Sequence, residues 1–173
     1  MNIPLRRLGK SDLQISPLGL GCWQFSKQAG LVGKYWPPLS DEDTCKIVKA
    51  SIDGGINWFD TAEIYGRGKS EQGLADALKK NDVQPGDAII ATKWWPIGRR
   101  ASSINSTIDK RLETLGGYPI ALHQVHNPFG FSSVEKEMNA MADLIEEGRI
   151  KYIGVSNFSA DRMRRASEAL DRR

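Results

Sequence analysis

The sequence predicts an α/β fold built on a parallel sheet. Three observations carry that reading. Short apolar runs alternate with amphipathic stretches along all 173 residues. The alternation has a loose period of about thirty residues, the length of one strand–helix unit. No linker or low-complexity segment divides the chain, so residues 1–173 read as part of a single domain. Strand–helix alternation of this kind requires parallel strands joined by right-handed crossovers.

The elements follow in order. Leu5 to Ile15 reads as a small hairpin, two short runs around Gly9-Lys10-Ser11-Asp12. Leu18 to Cys22 is a first strand. Asp41 to Asp53 is a helix, with Ser40 and Asp43 as a capping pair and Gly54-Gly55 as the stop. Ile56 to Asp60 is a second strand, and Ser70 to Lys80 a helix with Leu74 and Leu78 on one face. Ala88 to Thr92 is a third strand. The helix after it, Ser103 to Leu115, carries Ile104, Ile108, Leu112 and Leu115 at helical spacing. Ile120 to His126 is a fourth strand, followed by a helix from Ser133 to Glu147 that Gly148 closes. Ile150 to Val155 is a fifth strand and Ser159 to Arg172 a fifth helix.

Composition excludes several classes. Net charge is +3, from 24 basic and 21 acidic residues. That balance, with basic residues gathered only at Arg162, Arg164, Arg165, Arg172 and Arg173, reads as a solvated helix face and not a nucleic-acid surface. Cys22 and Cys45 are isolated, with no Cys-x-x-Cys and no paired Cys/His spacing, so no metal site is expected. No apolar run approaches the length of a membrane span or signal peptide. The expected location is the cytoplasm.

Five strand–helix units suit a doubly wound sheet or a barrel. The doubly wound reading needs a glycine-rich phosphate loop after the first strand, and Gly19-Leu20-Gly21 lacks the third glycine. The barrel reading gains from where polar residues fall. Asp60, Lys93, His126 and the pair Ser156-Asn157 each sit at the C-terminal end of a successive strand. In a barrel those ends converge on one rim, where active sites of such folds lie. Tyr65 stands in the loop after the second strand. Each residue alone has a plain structural explanation; their convergence favours chemistry.

That chemistry is proton transfer. A free tyrosine, with a pKa of about 10, is a poor acid near neutrality. A lysine beside it is expected to lower that value, and an aspartate keeps the lysine charged and in place. A neutral histidine donates a hydrogen bond to a carbonyl. Trp23, Phe25, Trp94, Trp95, Phe129 and Phe131 follow strand ends, and Trp23 and Trp94 are the candidates for lining a substrate pocket.

Leu18-Gly-Leu-Gly-Cys-Trp23, Gly55-Ile-Asn-Trp-Phe-Asp-Thr-Ala-Glu-Ile-Tyr-Gly66, Ala91-Thr-Lys93, His123-Gln-Val-His-Asn-Pro128 and Gly148-Arg-Ile-Lys-Tyr-Ile-Gly-Val-Ser-Asn-Phe158 together resemble the aldo-keto reductase family. The likeness is to its prokaryotic, channel-β-subunit-like branch and runs from about residue 5 to the end. The resemblance implies a (β/α)₈ TIM barrel entered by a hairpin, of which this chain holds about five units; an eight-unit barrel takes roughly 250 residues. It implies a catalytic tetrad of Asp60, Tyr65, Lys93 and His126, with Asp60, Ser156 and Asn157 on the nicotinamide side. The implied cofactor is NADPH and the implied substrate a small carbonyl compound. The loops that would grip the cofactor's phosphates belong to the later units. The 173-residue chain is therefore expected to be inactive by itself and to associate through open sheet edges. Two other readings are weighed beside reduction: a Schiff-base aldolase using Lys93, and a non-catalytic regulatory or binding subunit of the same fold.

Overall fold

A computed structural model describes residues 4–173. The expected alternation is present. A two-stranded antiparallel hairpin comes first, β1 (Arg6–Arg7) and β2 (Gln14–Ile15). Five parallel strands follow: β3 (Leu20–Gly21), β4 (Trp58–Asp60), β5 (Ile89–Trp94), β6 (Ile120–Val125) and β7 (Ile150–Val155). They lie side by side in sequence order, β3-β4-β5-β6-β7, each paired only with its neighbours in the chain. A doubly wound sheet would reverse direction partway, so this monotonic order is that of a barrel wall.

Helices α2 (Asp41–Asp53), α3 (Lys69–Lys80), α4 (Ser102–Thr114), α5 (Val134–Glu146) and α6 (Ala160–Asp171) alternate with the strands. Three of them begin at serine caps. Ser40, Ser133 and Ser159 each accept a hydrogen bond from the backbone N–H three residues on, satisfying one of the free donors at a helix start. Two elements outside the sequence-based expectation lie between β3 and α2: a 3-10 turn at Trp23–Ser26 and a short helix α1 (Gly30–Gly33).

The core fills the layer between sheet and helices. Phe59, Ile90, Trp94 and Val125 point from the strands onto Leu74, Leu78, Ile104, Ile108, Met141 and Leu144, all essentially fully buried. The opposite face of the sheet lines an open cavity of about 460 Å³ with Trp58, Asp60, Ile89, Ala91, Lys93, Leu122, Gln124 and Ser156. Hydrophobic packing thus assigns one parity of each strand to the core and leaves the other for the concave side.

The hairpin closes the bottom of that concavity. Asn57, just before β4, accepts from the Ser16 N–H at 2.8 Å and donates to the Gln14 carbonyl at 2.8 Å. At the far side of the sheet, Tyr152 on β7 donates to Asp12 at 3.0 Å and Lys151 pairs with Asp12 at 2.9 Å. One hairpin reaches β4 and β7 together only because the sheet curls.

Candidate active site

The strand ends converge as a barrel rim requires. Asp60 closes β4 and Lys93 lies one residue from the end of β5, on the same concave face. The Lys93 ammonium donates to Asp60 Oδ2 at 2.7 Å and to the Thr61 carbonyl at 2.9 Å, and its side chain is 6% exposed. Gln124 on β6 approaches the other Asp60 oxygen at 3.4 Å. Tyr65 stands above this pair, with the lysine nitrogen 5.1 Å from its ring centre. His126 follows β6 and meets the Tyr65 ring edge-on, with centres 5.5 Å apart. The structure brings together all four residues that the sequence put forward.

The loop carrying Tyr65 is held by backbone requirements. Its start continues the ladder, with the Thr61 N–H on the Ala91 carbonyl and the Glu63 N–H on the Lys93 carbonyl. Gly66 has a positive φ of 65°, and a Cβ there would lie 2.2 Å from the Ser26 carbonyl oxygen. Glycine satisfies both conditions at once, letting the loop close onto the 3-10 turn. Beneath it, Ser70 donates to the Cys22 carbonyl at 2.5 Å and shares a hydrogen bond with Thr61 at 2.8 Å.

The electrostatics differ from the sequence-based expectation at Tyr65. Burial, helped by the Asp60 charge, pushes its phenol up to about 12 instead of lowering it. Lys93 directs its N–H groups at Asp60 and the Thr61 carbonyl, so its stabilisation goes to the carboxylate before the phenol. Tyr65 is accordingly protonated at neutral pH. His126 moves the other way. Burial and then the Lys93 charge depress it from 6.5 to about 4, so its ring is neutral at pH 7.

His123, on the core side of β6 and 1% exposed, is likewise depressed by burial to about 4. These are both of the chain's histidines. Their folded pKa values lie below the unfolded one, so the unfolded chain takes up protons first. Stability is then full above pH 6.5 and falls as the pH drops from 6.5 toward 4. Glu71 and Glu137, raised by burial to about 7, act in the opposite sense. The stability they contribute is present below 4.5 and lost as the pH rises through 7, so it offsets part of the acid loss. In NMR titrations neither imidazole should change its resonance between about pH 8 and 5.5; a midpoint near 6.5 for His126 would contradict the buried, neutral ring.

The cofactor-side candidates lie at the end of β7. The Ser156 N–H continues the ladder onto the Val125 carbonyl. Asn157, at φ 59°, donates to the His126 carbonyl at 2.9 Å and to Ser156 Oγ at 3.2 Å. This ties the pair to the strand end that carries His126. Ser156 lines the concave cavity together with Asp60, Lys93 and Gln124.

The two pocket candidates part company. Trp23 stacks on Tyr65 with ring centres 5.5 Å apart and on Tyr35 at 5.2 Å, with Trp36 edge-on. Trp94 instead turns into the core, 1% exposed, with its indole N–H on Ser103 at 3.0 Å and Arg99 over its ring. The reason is strand parity: Lys93 faces the concavity, so Trp94 cannot. Trp95 is the ring beside the site, edge-on to His126 at 5.2 Å. Tyr35, against Trp23, and Glu63, Glu71 and Arg111, beneath the loop, went unmarked in the sequence, and Trp95, noted there as following a strand end, was not put forward for the pocket.

Known proteins resemble this chain in sequence and in fold. The aldo/keto reductase family profile matches residues 17–172. An uncharacterized oxidoreductase of Mycobacterium tuberculosis is 35% identical over 159 residues, covering 92% of this chain and 47% of that protein. A probable aldo-keto reductase of Glycine max is 32% identical over 167 residues, covering 92% and 46%. The solved holo form of an aldo-keto reductase from Bacillus halodurans superposes with a TM-score of 0.80 at 26% identity, over 97% of this chain and 55% of that one. The chain spans about half the length of these relatives. Its curled five-strand sheet is part of their (β/α)₈ barrel, and the chain belongs to the aldo/keto reductase family.

Proposed function

We propose that this chain carries the acid–base half of an NADPH-dependent carbonyl reductase acting on small aldehydes or ketones, in which Tyr65 gives the proton to the carbonyl oxygen. The observation that carries the reading is the single cluster of Asp60, Tyr65, Lys93 and His126 at one end of the sheet, with Tyr65 protonated and His126 neutral.

The steps assigned to the chain's own residues follow from that geometry. His126, neutral, offers an N–H to the carbonyl oxygen and orients it near Tyr65. Trp23 and Trp95 flank the pair with apolar rings and limit water there. Reduced nicotinamide supplies a hydride to the carbonyl carbon when bound. As negative charge grows on oxygen, the Tyr65 hydroxyl delivers its proton. The Lys93 ammonium, fixed by Asp60, stabilises the phenolate left behind. Ser156 and Asn157 suit the carboxamide of the nicotinamide ring. The phosphates would be held in loops after later barrel strands, where such folds keep those sites, so the whole protein's activity requires them and the 173-residue chain alone is expected to be inactive. The cytoplasm is the proposed location.

Lys93 decides between this reading and a Schiff-base aldolase. The Lys93 nitrogen is buried and engaged with Asp60 and a backbone carbonyl, whereas an amine nucleophile must be free to reach the substrate carbon. In the whole protein, Lys93→Met should lower turnover, because the Asp60 charge is then left uncompensated beside the phenol. A pH–rate profile unchanged in shape and height would make Lys93 merely structural. Borohydride should trap no substrate on Lys93 in the parent protein.

A further inference from the structure

The proposed chemistry does not use the four charged residues packed beneath the Tyr65 loop. Glu63 lies two residues before Tyr65 and is 9% exposed. Its Oε1 accepts the backbone N–H of Trp95 and a guanidinium N–H of Arg99. Its Oε2 is 3.4 Å from Arg111 Nη1. The same Arg111 nitrogen is 3.3 Å from Oε2 of Glu71, in the first turn of α3. Glu71 Oε1 in turn accepts the Thr92 hydroxyl at 2.7 Å. Glu71 and Arg111 are 0% and 7% exposed.

The connections span four pieces of the fold. Arg111 comes from α4, Glu71 from α3, Glu63 from the Tyr65 loop, and Thr92 and Trp95 from β5 and the residue after it. Strand parity makes β5 the pivot. Thr92 points outward to the Glu71–Arg111 pair while its neighbour Lys93 points inward to Asp60. Sequestering two carboxylates and a guanidinium is costly, and an apolar cluster of equal volume would often stabilise the fold as well or better. What charged, directional groups supply instead is a fixed register between the segments that they join.

We propose that Glu63 is a positioning residue: held by Arg99 and Arg111, its carboxylate fixes the loop bearing Tyr65 against the strand end bearing Lys93. The importance of that register rests on the reading of Tyr65 as the proton donor. The loop has other anchors at its ends, the Gly66–Ser26 approach and the Ser70 hydrogen bonds. Glu63 is the anchor between Lys93 and Tyr65 themselves, because its backbone N–H also binds the Lys93 carbonyl at 3.2 Å.

The test reads Tyr65 directly and needs no activity. The whole protein is labelled at tyrosine Cζ and followed by ¹³C NMR, with Tyr65→Phe assigning the signal. In the parent protein the Tyr65 signal should stay that of a protonated phenol up to about pH 11. In Glu63→Gln the loop should loosen and gain solvent, bringing its midpoint down toward 10, while the signal of Tyr118, whose hydroxyl donates to the Val83 carbonyl, keeps its parent midpoint. A folded Glu63→Gln protein with Tyr65 unmoved would overturn the proposal. If Glu63→Gln does not fold, Arg99→Gln removes only the rim partner, and a smaller downward shift of Tyr65 is expected; no shift would overturn the proposal equally. If the proposed reaction is wrong, the whole protein shows no carbonyl-dependent NADPH oxidation, an outcome separate from either NMR result.

Discussion

Replacing Tyr65 by phenylalanine in the whole protein should lower carbonyl reduction by about 10²–10⁴-fold, the usual worth of a positioned general acid. NADPH affinity should change little. The ring keeps its stack on Trp23 and its edge contact with His126, since neither involves the hydroxyl. The loss should therefore fall on turnover. Tyr65 is partly buried and protonated, with its phenol pushed up to about 12, so activity should not fall through deprotonation of this group anywhere near neutrality. Steady-state kinetics with a simple aromatic aldehyde, beside fluorescence titration of NADPH, separates the two effects. Turnover near the parent value in Tyr65→Phe would remove Tyr65 from the mechanism.

The second large effect concerns the isolated 173-residue chain. Among the described residues, strands β3 and β7 each pair on one side only. Their free N–H and C=O groups are templates for another chain. The concave face adds Leu8, Leu13, Ile15, Trp58, Ile89 and Leu122 around an open cavity. At roughly 25 cal/mol per Å², each hundred Å² or so of such surface left in water forgoes about 2.5 kcal/mol. That is a large share of the 5–15 kcal/mol, roughly, that holds a typical domain together. The chain by itself should thus elute from size exclusion as dimers or larger species and bind NADPH only weakly. A sharp monomer with micromolar NADPH affinity would contradict this, and would locate a phosphate grip within residues 1–173. The helix–sheet layer is less vulnerable, since Phe59, Ile90, Ile104, Ile108 and Leu144 are buried without any further unit.

Much of this arrangement was readable from the residues, and the exceptions have identifiable causes. The helices were marked by periodicity and by serine caps at Ser40, Ser133 and Ser159, all local features. The rim residues were found because each ends an apolar run. Strand bounds were missed in both directions: Leu18 to Cys22 pairs only at Leu20 and Gly21, while the strand read as Ala88 to Thr92 runs on to Trp94, since pairing depends on a neighbour that the run itself cannot specify. The segment from Trp23 to Trp36 carries no period, so its turn, short helix and aromatic stack escaped notice. Trp94 was misplaced although parity could have placed it, because a concave Lys93 turns Trp94 outward. Arg111 carried a signal too. It stands at helical spacing with Ile104, Ile108 and Leu115, which assigns it to the buried face of α4. A charged residue on an apolar stripe calls for a buried partner; two such partners are Glu63 and Glu71. The phenol's upward shift had no sequence signature, since it depends on how completely the loop is covered and on where Lys93 spends its hydrogen bonds.

The central claim is that this cluster passes a proton to a carbonyl while a nicotinamide passes a hydride. Isotope transfer tests it most directly. The whole protein is incubated with an aldehyde and NADPH carrying deuterium at the reactive C4 position, and the alcohol is analysed by mass spectrometry. The account predicts one deuterium on the former carbonyl carbon, with the hydroxyl proton drawn from solvent through Tyr65. An unreduced aldehyde, an alcohol without deuterium, or substrate trapped on Lys93 by borohydride would contradict it.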